Sequence, residues 1–496
     1  MNAMLQTKLY VVLILFLVAV FLVSCSDSTQ AKKATIVGSV LLEGVNNSEG
    51  VKVLLYQAGV VEIELASIHA DHPSLGFDIG DKHIFDHRDY APVYTTTTSS
   101  DGSFEIKGVE KDKYILVLLR EGFGHRYLYD LELDSDVVEA NNGEDIHLFE
   151  VIELPQYVDG EFVFETGKTY IANEDAMFLP ESNVTFEGGS TLLMNPGRGV
   201  TCNGSISLTG SVDEPIKITS SDKIYDFGIA PAQFAKFEIT ELASARDISG
   251  LVFTHSTDGM VIKSSNLELT QSLFARNNTG CMFTSGQSIA IGKSYFVNSE
   301  GIISKGLVLQ DVADVSLEYS VFYEIEKVSL SIVVGQGVAI TNCLFTGGQS
   351  QVVNSFSSQT TVTNSTFSNA GYNLTSTARS TLDIQYNDIE GRVCIYTYHT
   401  GNQGNSISNG WTKANNNNLN ALEQTVRATA QFYTYQHEYV PLDFSNNFWG
   451  TTSQSMIDES IIDYNDLEPY PEPGNIWPLI TYVPFRASKV VNAGVQ

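Results

Sequence analysis

The sequence predicts an all-β protein in which a small β-sandwich precedes a solenoid, and three observations support this. An eight-residue motif recurs about every 22 residues in the second half of the chain, as in VSLEYSVF at 315–322 and VAITNCLF at 338–345. The 496 residues include 39 Gly, 26 Phe and 23 Tyr, and only 17% are charged, unlike the Glu- and Lys-rich composition of helical proteins. Asp101-Gly102 separates two β-prone runs and predicts a hairpin, because a tight hairpin turn requires positive φ.

The first element is an apolar N-terminal segment. Lys8 is followed by an unbroken apolar run at 9–23, too short for a membrane-spanning helix of about 20 residues. The run ends in LVSC at 22–25, which resembles the lipobox of bacterial lipoproteins. The resemblance implies a signal peptide at 1–25, a palmitate-type acyl chain on Cys25, a tether at 26–34, and a lipid bilayer anchor facing the periplasm or the cell surface. The alternative is an ordinary cleaved signal or an N-terminal membrane anchor.

Residues 35–154 read as short strands separated by turns. TIVGSVLL, VKVLLYQAG, SDGSFEIKGV and KYILVLLREGF follow one another in an order that resembles the carboxypeptidase regulatory-like family. The resemblance implies a transthyretin-like β-sandwich of seven strands. Members of that family are usually spacer or accessory modules, so it also implies that this domain is not catalytic.

A segment rich in His and Asp interrupts the predicted sandwich. It contains four of the nine histidines within nineteen residues, namely His69, His72, His83 and His87. Imidazoles with nearby carboxylates can bind Zn²⁺ or another divalent metal. The spacing matches no known ligand pattern, so the alternative is a hydrated surface insertion.

The repeated motif predicts the solenoid. Its copies end at Phe253, Phe274, Phe296, Phe322, Phe345, Phe367 and Ile389, with steps of 21, 22, 26, 23, 22 and 22 residues. A fixed period of this length is typical of solenoids, and the set Leu positions of leucine-rich repeats are missing. We therefore expect a coil with three short strands per turn, in which the phenylalanines stack inside. The small or hydrogen-bonding side chains two positions before each of them should stack likewise, and they are Ser272, Ser294, Ser320, Cys343, Ser365 and Asn387.

The coil resembles right-handed parallel β-helix proteins of the pectate-lyase-like superfold. GSISLTGSVDEPIKITSS at 204–221 is similar to the entry turns of that family, and FSNNFWGTT at 444–452 is similar to the NNxWG sequence that often closes its coil. The resemblance implies a β-helix at 155–452, with Trp449 as a capping aromatic. The period breaks at 401–439, where we expect loop-bearing coils, and the acidic tail at 453–496 is predicted to pack on the last coil.

The sequence contains neither the Asp patterns of polygalacturonases nor a clear Arg pattern of lyases, two enzyme classes of the superfold that it resembles. The best local candidate comes from the register of the repeats, which places Glu300 and Glu326 four residues after successive motif phenylalanines. Two stacked carboxylates are costly unless a cation or a shared proton relieves them, so the pair is a hypothetical Ca²⁺ site or acid/base couple. The alternative is a pair of unrelated glutamates on exposed turns.

The net charge and the aromatic residues limit which ligands the protein could bind. A net charge of −30 makes nucleic acid a poor partner, since phosphate binding needs a basic surface. Aromatic side chains concentrate near the C-terminal coils, where they could stack on sugar rings; the candidates are Tyr396, Tyr398, Trp411, Tyr433 and Tyr435.

The sequence favours a membrane-anchored lipoprotein whose non-catalytic β-helix serves in glycan binding, adhesion or scaffolding, with no required cofactor. The first alternative is a polysaccharide lyase or glycoside hydrolase acting in the β-helix groove. The second is binding of a divalent metal such as Ca²⁺ or Zn²⁺. The four cysteines after Cys25 have no metal-ligand spacing and are predicted to be buried free thiols.

Overall fold

A computed structural model describes most of the chain. The described residues are 33–59, 63–221, 233–297, 304–347, 351–355, 358–368, 373–377, 380–398, 412–419, 426–431, 439–466 and 477–496. They form two compact units. The first unit includes 33–58, 89–121 and 125–148, and the second includes 59, 63–88, 122–124 and the described residues from Phe149 to Gln496.

The described part of the first unit contains two four-stranded sheets. One consists of Ser103–Glu110, Lys33–Leu42, Val137–Glu139 and Ile146–Leu148, and the other of Tyr94–Thr97, Lys52–Gln57, Lys113–Leu119 and Arg126–Glu132. Apolar residues on alternate strand positions, such as Ile36, Val53 and Ile115, are fully buried, as expected for sheets that bury one face.

The turn at Asp101-Gly102 does not form the predicted hairpin. Gly102 has φ of +84°, as the turn requires, but the strands on its two sides belong to different sheets. Tyr94–Thr97 pairs with Lys52–Gln57, whereas Ser103–Glu110 pairs with Lys33–Leu42. A local turn signal predicts positive φ but does not choose the strand partner, which depends on the faces to be buried.

The second unit is a parallel β-helix. Its strands form three long parallel sheets, and each coil contributes one strand to each sheet. We name them the phenylalanine sheet, the cleft sheet and the third sheet. In the described residues they contain 12, 11 and 13 strands respectively.

The phenylalanine sheet carries the last residues of the motif. Its strands are Ile152–Glu153, Thr169–Ala172, Thr191–Met194, Ile216–Ser220, Leu251–Thr254, Leu273–Ala275, Tyr295–Val297, Val321–Tyr323, Leu344–Thr346, Thr366–Phe367, Asp388–Ile389 and Asn418–Leu419. The cleft sheet carries the first residues of the motif. Its strands are Glu161–Phe164, Asn183–Glu187, Ser205–Thr209, Asp247–Ser249, Leu267–Thr270, Gln287–Gly292, Ala313–Glu318, Gln336–Thr341, Gln359–Thr363, Thr381–Gln385 and Thr412–Asn415.

The third sheet completes each coil. Its strands are Tyr157–Val158, Ala176–Phe178, Val200–Cys202, Phe234–Ile239, Ser256–Ile262, Thr279–Thr284, Lys305–Gln310, Val328–Val333, Gln351–Ser355, Asn373–Thr377, Arg392–Tyr398, Val426–Gln431 and Ile461–Ile462. Tyr439–Asp443 and Trp477–Thr481 pair with each other outside these sheets. The described helices are α1 (Ile63–Asp71), α2 (Asp81–Ile84) and α3 (Gln454–Ser460), with 3₁₀ turns at His87–Asp89, Ala140–Gly143 and Tyr464–Asp466.

The predicted stacking of the motif is confirmed. Phe274, Phe296, Phe322, Phe345 and Phe367 pair in register and stack nearly parallel, with successive ring centroids 5.3, 4.8, 4.7 and 4.6 Å apart. These spacings match the separation of about 4.8 Å between neighbouring strands. The rings therefore form a continuous apolar column inside the coil.

A second column consists of the small polar side chains two positions earlier. Ser272, Ser294 and Ser320 are fully buried, and each of the hydroxyl groups of Ser294 and Ser320 accepts the backbone N–H of the residue one coil earlier, at 3.3 Å. Asn387 continues the column by accepting the Ser365 N–H at 2.8 Å. The small position of the motif thus satisfies backbone groups where the chain turns between two sheets.

The His- and Asp-rich insertion packs on the coil, rather than with the sandwich predicted for 35–154. Outward residues of the phenylalanine sheet such as Leu273, Tyr295 and Val321 are fully buried. The Tyr295 hydroxyl donates to the Phe77 carbonyl at 3.1 Å, and the Gly76 N–H donates to a coil carbonyl at 2.7 Å. A Cβ at Gly76 would lie 2.3 Å from the Tyr295 ring, so only glycine permits this approach.

The C-terminal tail also packs on the coil. Ile461–Ile462 joins the third sheet, and Trp477–Thr481 pairs in parallel with Tyr439–Asp443. Trp449 is fully buried beside Tyr482, with ring centroids 6.0 Å apart.

The four described cysteines are buried and free, as predicted, and they are Cys202, Cys281, Cys343 and Cys394. Within the described ranges, no helix is long and apolar enough to span a membrane.

Candidate functional site

The outer face of the cleft sheet carries rows of accessible side chains. Leu382 and Ile384 point inward and are buried, whereas Asp383 between them points outward, and the other strands alternate in the same way. Parallel in-register pairing stacks the outward positions in what we call the outer row. In order, it consists of Glu268, Ala290, Ser316, Ala339, Thr361, Asp383 and Lys413.

The C-terminal part of the outer row lies in a cleft of about 620 Å³. Hydroxyl, amide and charged side chains line it together with backbone of five strands. The lining residues are Gly337, Val338, Ala339, Gln359, Thr360, Thr361, Thr381, Leu382, Asp383, Thr412, Lys413 and Asp443. The volume is within the range of small-molecule sites in proteins.

Asp383, Lys413 and Asp443 place alternating charges in the cleft. The Lys413 ammonium lies 2.7 Å from an Asp383 carboxylate oxygen, and Gln385 donates to the other Asp383 oxygen at 2.8 Å. Partial burial would raise the pKa of Asp443, but hydrogen bonds from Ser445 and the charge of Lys413 lower it below its ordinary value. Asp443 is therefore ionised at neutral pH, and these three side chains carry a net charge of −1.

Thr412 does not offer its side chain to the cleft. It is 1% exposed and pairs in register with the inward-pointing Leu382, so its hydroxyl faces the interior of the coil. The polar side chains that the cleft presents are therefore those at outward positions, such as Gln359, Thr361 and Asp383.

The sequence contained a signal for these residues. LDIQYNDI at 382–389, TKANNNNL at 412–419 and LDFSNNFW at 442–449 are three copies of the motif, with Asp383, Lys413 and Asp443 at the second position of each. The steps between these copies are 30 residues, so the sequence prediction took 401–439 as a break in the period. Hydrogen bonds from the Asn387 and Asn417 N–H groups to side-chain oxygens 30 residues later show that the coils continue in register.

Only one member of the glutamate pair predicted from sequence lies within the described structure. Glu326 is exposed on a turn of the coil, and Glu300 lies outside the described residues. The acid/base or Ca²⁺ role of this pair stays a prediction.

The histidines of the insertion make structural contacts. The buried His83 ring bonds the Val212 carbonyl at 2.8 Å and the Gly80 N–H at 3.1 Å, and His69 bonds the Leu75 carbonyl at 3.0 Å. His72 and His87 are half-buried. In the part of the chain that the structure describes, no three His, Cys, Asp or Glu side chains are grouped so as to hold a metal ion, so the geometry gives the metal hypothesis no support.

The remaining predicted residues cannot be placed as a site. Tyr396 and Tyr398 lie in the strand Arg392–Tyr398 of the third sheet, whose outer face is not that of the cleft. Cys25, Trp411, Tyr433 and Tyr435 lie outside the described residues.

Comparison with known proteins supports the assignment of the coil as a β-helix. Residues 240–367 match the family model described as the right handed beta helix region. Among solved structures, the chain is similar to the family 28 exopolygalacturonase of Yersinia enterocolitica, with 9% sequence identity, a TM-score of 0.25, and coverage of 90% of this chain and 96% of that chain. None of the curated proteins matches. The family match falls on the coils that carry the repeated motif, and with the three parallel sheets it shows that the chain contains a right-handed β-helix.

Proposed function

We propose that the protein is a non-catalytic carbohydrate-binding protein and that its ligand lies in the cleft-sheet cleft. The observation that carries the proposal is the lining itself, which presents hydroxyl, amide and charged groups on successive coils of one accessible surface. Sugar hydroxyl groups both donate and accept hydrogen bonds, so they match a surface of Thr, Gln, Asp and Lys side chains. In-register stacking repeats the surface about every 4.8 Å along the coil, which suits an extended chain better than a compact molecule.

The charged groups in the cleft suit binding rather than hydrolysis. A general acid in glycoside hydrolysis requires a carboxyl group with a raised pKa. The pKa of Asp443 is lowered instead, and the Asp383 carboxylate is held by Lys413 and Gln385. Both carboxylates are thus arranged as hydrogen-bond acceptors for hydroxyl groups.

A pair of tryptophan substitutions tests the site. Thr361→Trp adds a large side chain at an exposed position in the middle of the cleft, while Ala290→Trp makes a comparable change on the same outer row, about 14 Å away. With the purified full-length protein, we expect Thr361→Trp to weaken binding to a neutral polysaccharide by about tenfold or more, equivalent to about 1.4 kcal/mol. Ala290→Trp should leave the affinity unchanged, as measured by affinity electrophoresis across a polysaccharide panel.

Two outcomes would contradict the proposal. One is that no polysaccharide of the panel is bound, or that both variants bind as the wild type does. The other is release of new chain ends, with activity lost in Glu326→Gln, which would establish the lyase or hydrolase alternative.

We further propose that the protein is a bacterial lipoprotein anchored through an acylated Cys25. The support is the LVSC sequence at 22–25 after a short apolar run with Lys8 before it. An anchored protein with an extended binding surface would serve as an adhesin or scaffold at the cell envelope, with polysaccharide as its partner.

A further inference from the structure

We infer that the cleft selects uncharged polysaccharide chains against chains that bear uronate groups, and that Asp383 and Asp443 determine this selection by keeping Lys413 from pairing with a ligand carboxylate. The inference rests on the proposed function and adds the class of ligand. Lys413 is the one cation among the described lining residues of the cleft.

The geometry around Lys413 supports the claim that carboxylates of the protein keep this lysine from pairing with a ligand carboxylate. Lys413 occupies the second position of its motif copy, and Asp383 and Asp443 occupy the same position in the preceding and following copies. The Lys413 ammonium group pairs with Asp383 at 2.7 Å and its charge acts on the Asp443 carboxylate. A ligand carboxylate that approached this ammonium group would also approach the Asp383 carboxylate beside it and would be repelled by it.

The net charge of the cleft supports the claim that uncharged chains are preferred over chains that bear uronate groups. Two carboxylates and one ammonium group leave the lining with a net charge of −1, and the whole chain carries −30. Two like charges at about 4 Å repel by about 1 kcal/mol in water, or about fivefold in affinity for each approaching uronate. A neutral sugar meets the same side chains as acceptors and donors and experiences no such repulsion.

The test compares two forms of one ligand. The probes are a neutral polysaccharide bound by the wild type in the panel above, and the same polysaccharide after oxidation of its C6 hydroxyl groups to carboxylates. The variants are Asp443→Asn and Asp383→Asn. The matched control is Glu268→Gln, which removes a charge from the same outer row about 24 Å away, well beyond the Debye length of about 8 Å at physiological salt.

We expect the full-length wild type to prefer the neutral form, and each Asp variant to reduce that preference about fivefold by improving binding of the oxidised form. Glu268→Gln should keep the wild-type preference. The preference should also shrink in 1 M salt, where the Debye length is about 3 Å.

The inference is overturned if the oxidised form binds as tightly as the neutral form, or if both Asp variants keep the wild-type preference. Either result can occur while Thr361→Trp still blocks binding, in which case the cleft is the binding site but its charges do not select the ligand. Absence of binding to every neutral polysaccharide would instead contradict the proposed function.

Discussion

Asparagines on three successive coils form a hydrogen-bonded ladder that stabilises the C-terminal end of the β-helix. They are Asn387, Asn417 and Asn447. The Asn417 side-chain oxygen accepts the Asn387 N–H at 2.8 Å, and the Asn447 oxygen accepts the Asn417 N–H at the same distance. The Asn417 amide group also donates to the Ile384 carbonyl at 2.9 Å. All three side chains are fully buried, so these bonds satisfy backbone groups that no water can reach.

Removing one member of this ladder should destabilise the coil. Asn417→Ala leaves the buried Asn387 N–H and Ile384 carbonyl without these partners, and we expect a loss of about 1–3 kcal/mol in the free energy of unfolding. Asn417→Ser is the matched control, because Ser365 accepts a backbone N–H at the equivalent position with its hydroxyl. Urea denaturation should rank the wild type, the Ser variant and the Ala variant in that order, and equal stability of the two variants would contradict the role of the side-chain acceptor.

At the scale of elements, the insertion that contains α1 and α2 covers the phenylalanine sheet. Lys82 pairs with Asp213 at 2.7 Å, and Arg88 donates to the Ser220 carbonyl at 2.7 Å. The Lys82 pair is largely exposed and adds little stability, whereas Leu75, Phe77 and Ile84 are buried and remove apolar surface from water. Apolar burial thus holds the insertion on the coil.

His83, in the insertion, makes the free energy of unfolding depend on pH. Burial lowers the pKa of His83 from its ordinary value to about 4, with the bonds to Val212 and Gly80 acting in the opposite direction. Between about pH 6.5 and pH 4 the unfolded chain binds a proton that the folded chain does not, so stability falls as pH falls. The full effect is about 3 kcal/mol, since one pKa unit corresponds to about 1.4 kcal/mol.

His83→Gln should flatten the dependence of stability on pH in this window. His72→Gln, at a half-buried histidine of the same insertion, is the control and should keep the wild-type slope. Urea denaturation at a series of pH values measures both. A His83→Gln protein with the same slope as the wild type would show that His83 is not the responsible group.

On the scale of the whole molecule, the net charge of −30 and the N-terminal cysteine bear on where the protein works. The charge opposes binding to anionic surfaces, including nucleic acid and acidic lipid. A lipid anchor would have to overcome this, and each buried methylene group of an acyl chain contributes about 0.8 kcal/mol.

Cys25→Ser should therefore release the protein from the membrane. We expect the wild type to incorporate radiolabelled palmitate and to sediment with membranes, and the variant to do neither. Ser28→Ala changes the predicted tether at 26–34 without altering the signal or the acylation site and serves as the control. Palmitate labelling that persists in Cys25→Ser would contradict the proposed anchor.

The repeat in the sequence was sufficient to predict the solenoid, because a coil places every copy of a residue on top of the last one. Phe322 and Phe345 had to stack once the period was known. The hairpin at Asp101-Gly102 and the domain of residues 59–88 were predicted incorrectly for a shared reason. Both depend on which apolar face a segment covers, and neither turn residues nor composition specify that face.

By itself, the sequence determined the β-helix, its period, and the stacking of the motif phenylalanines and of the small residues two positions before them, since these follow from a motif repeated in register. Only the tertiary structure decided that Asp383, Lys413 and Asp443 share a cleft and that His83 is buried against the coil. The first grouping was hidden by two steps of 30 residues, and the second joins residues 129 positions apart. Contacts between distant segments depend on where a long insertion packs against the coil. That position is decided by the burial of apolar side chains from many parts of the chain.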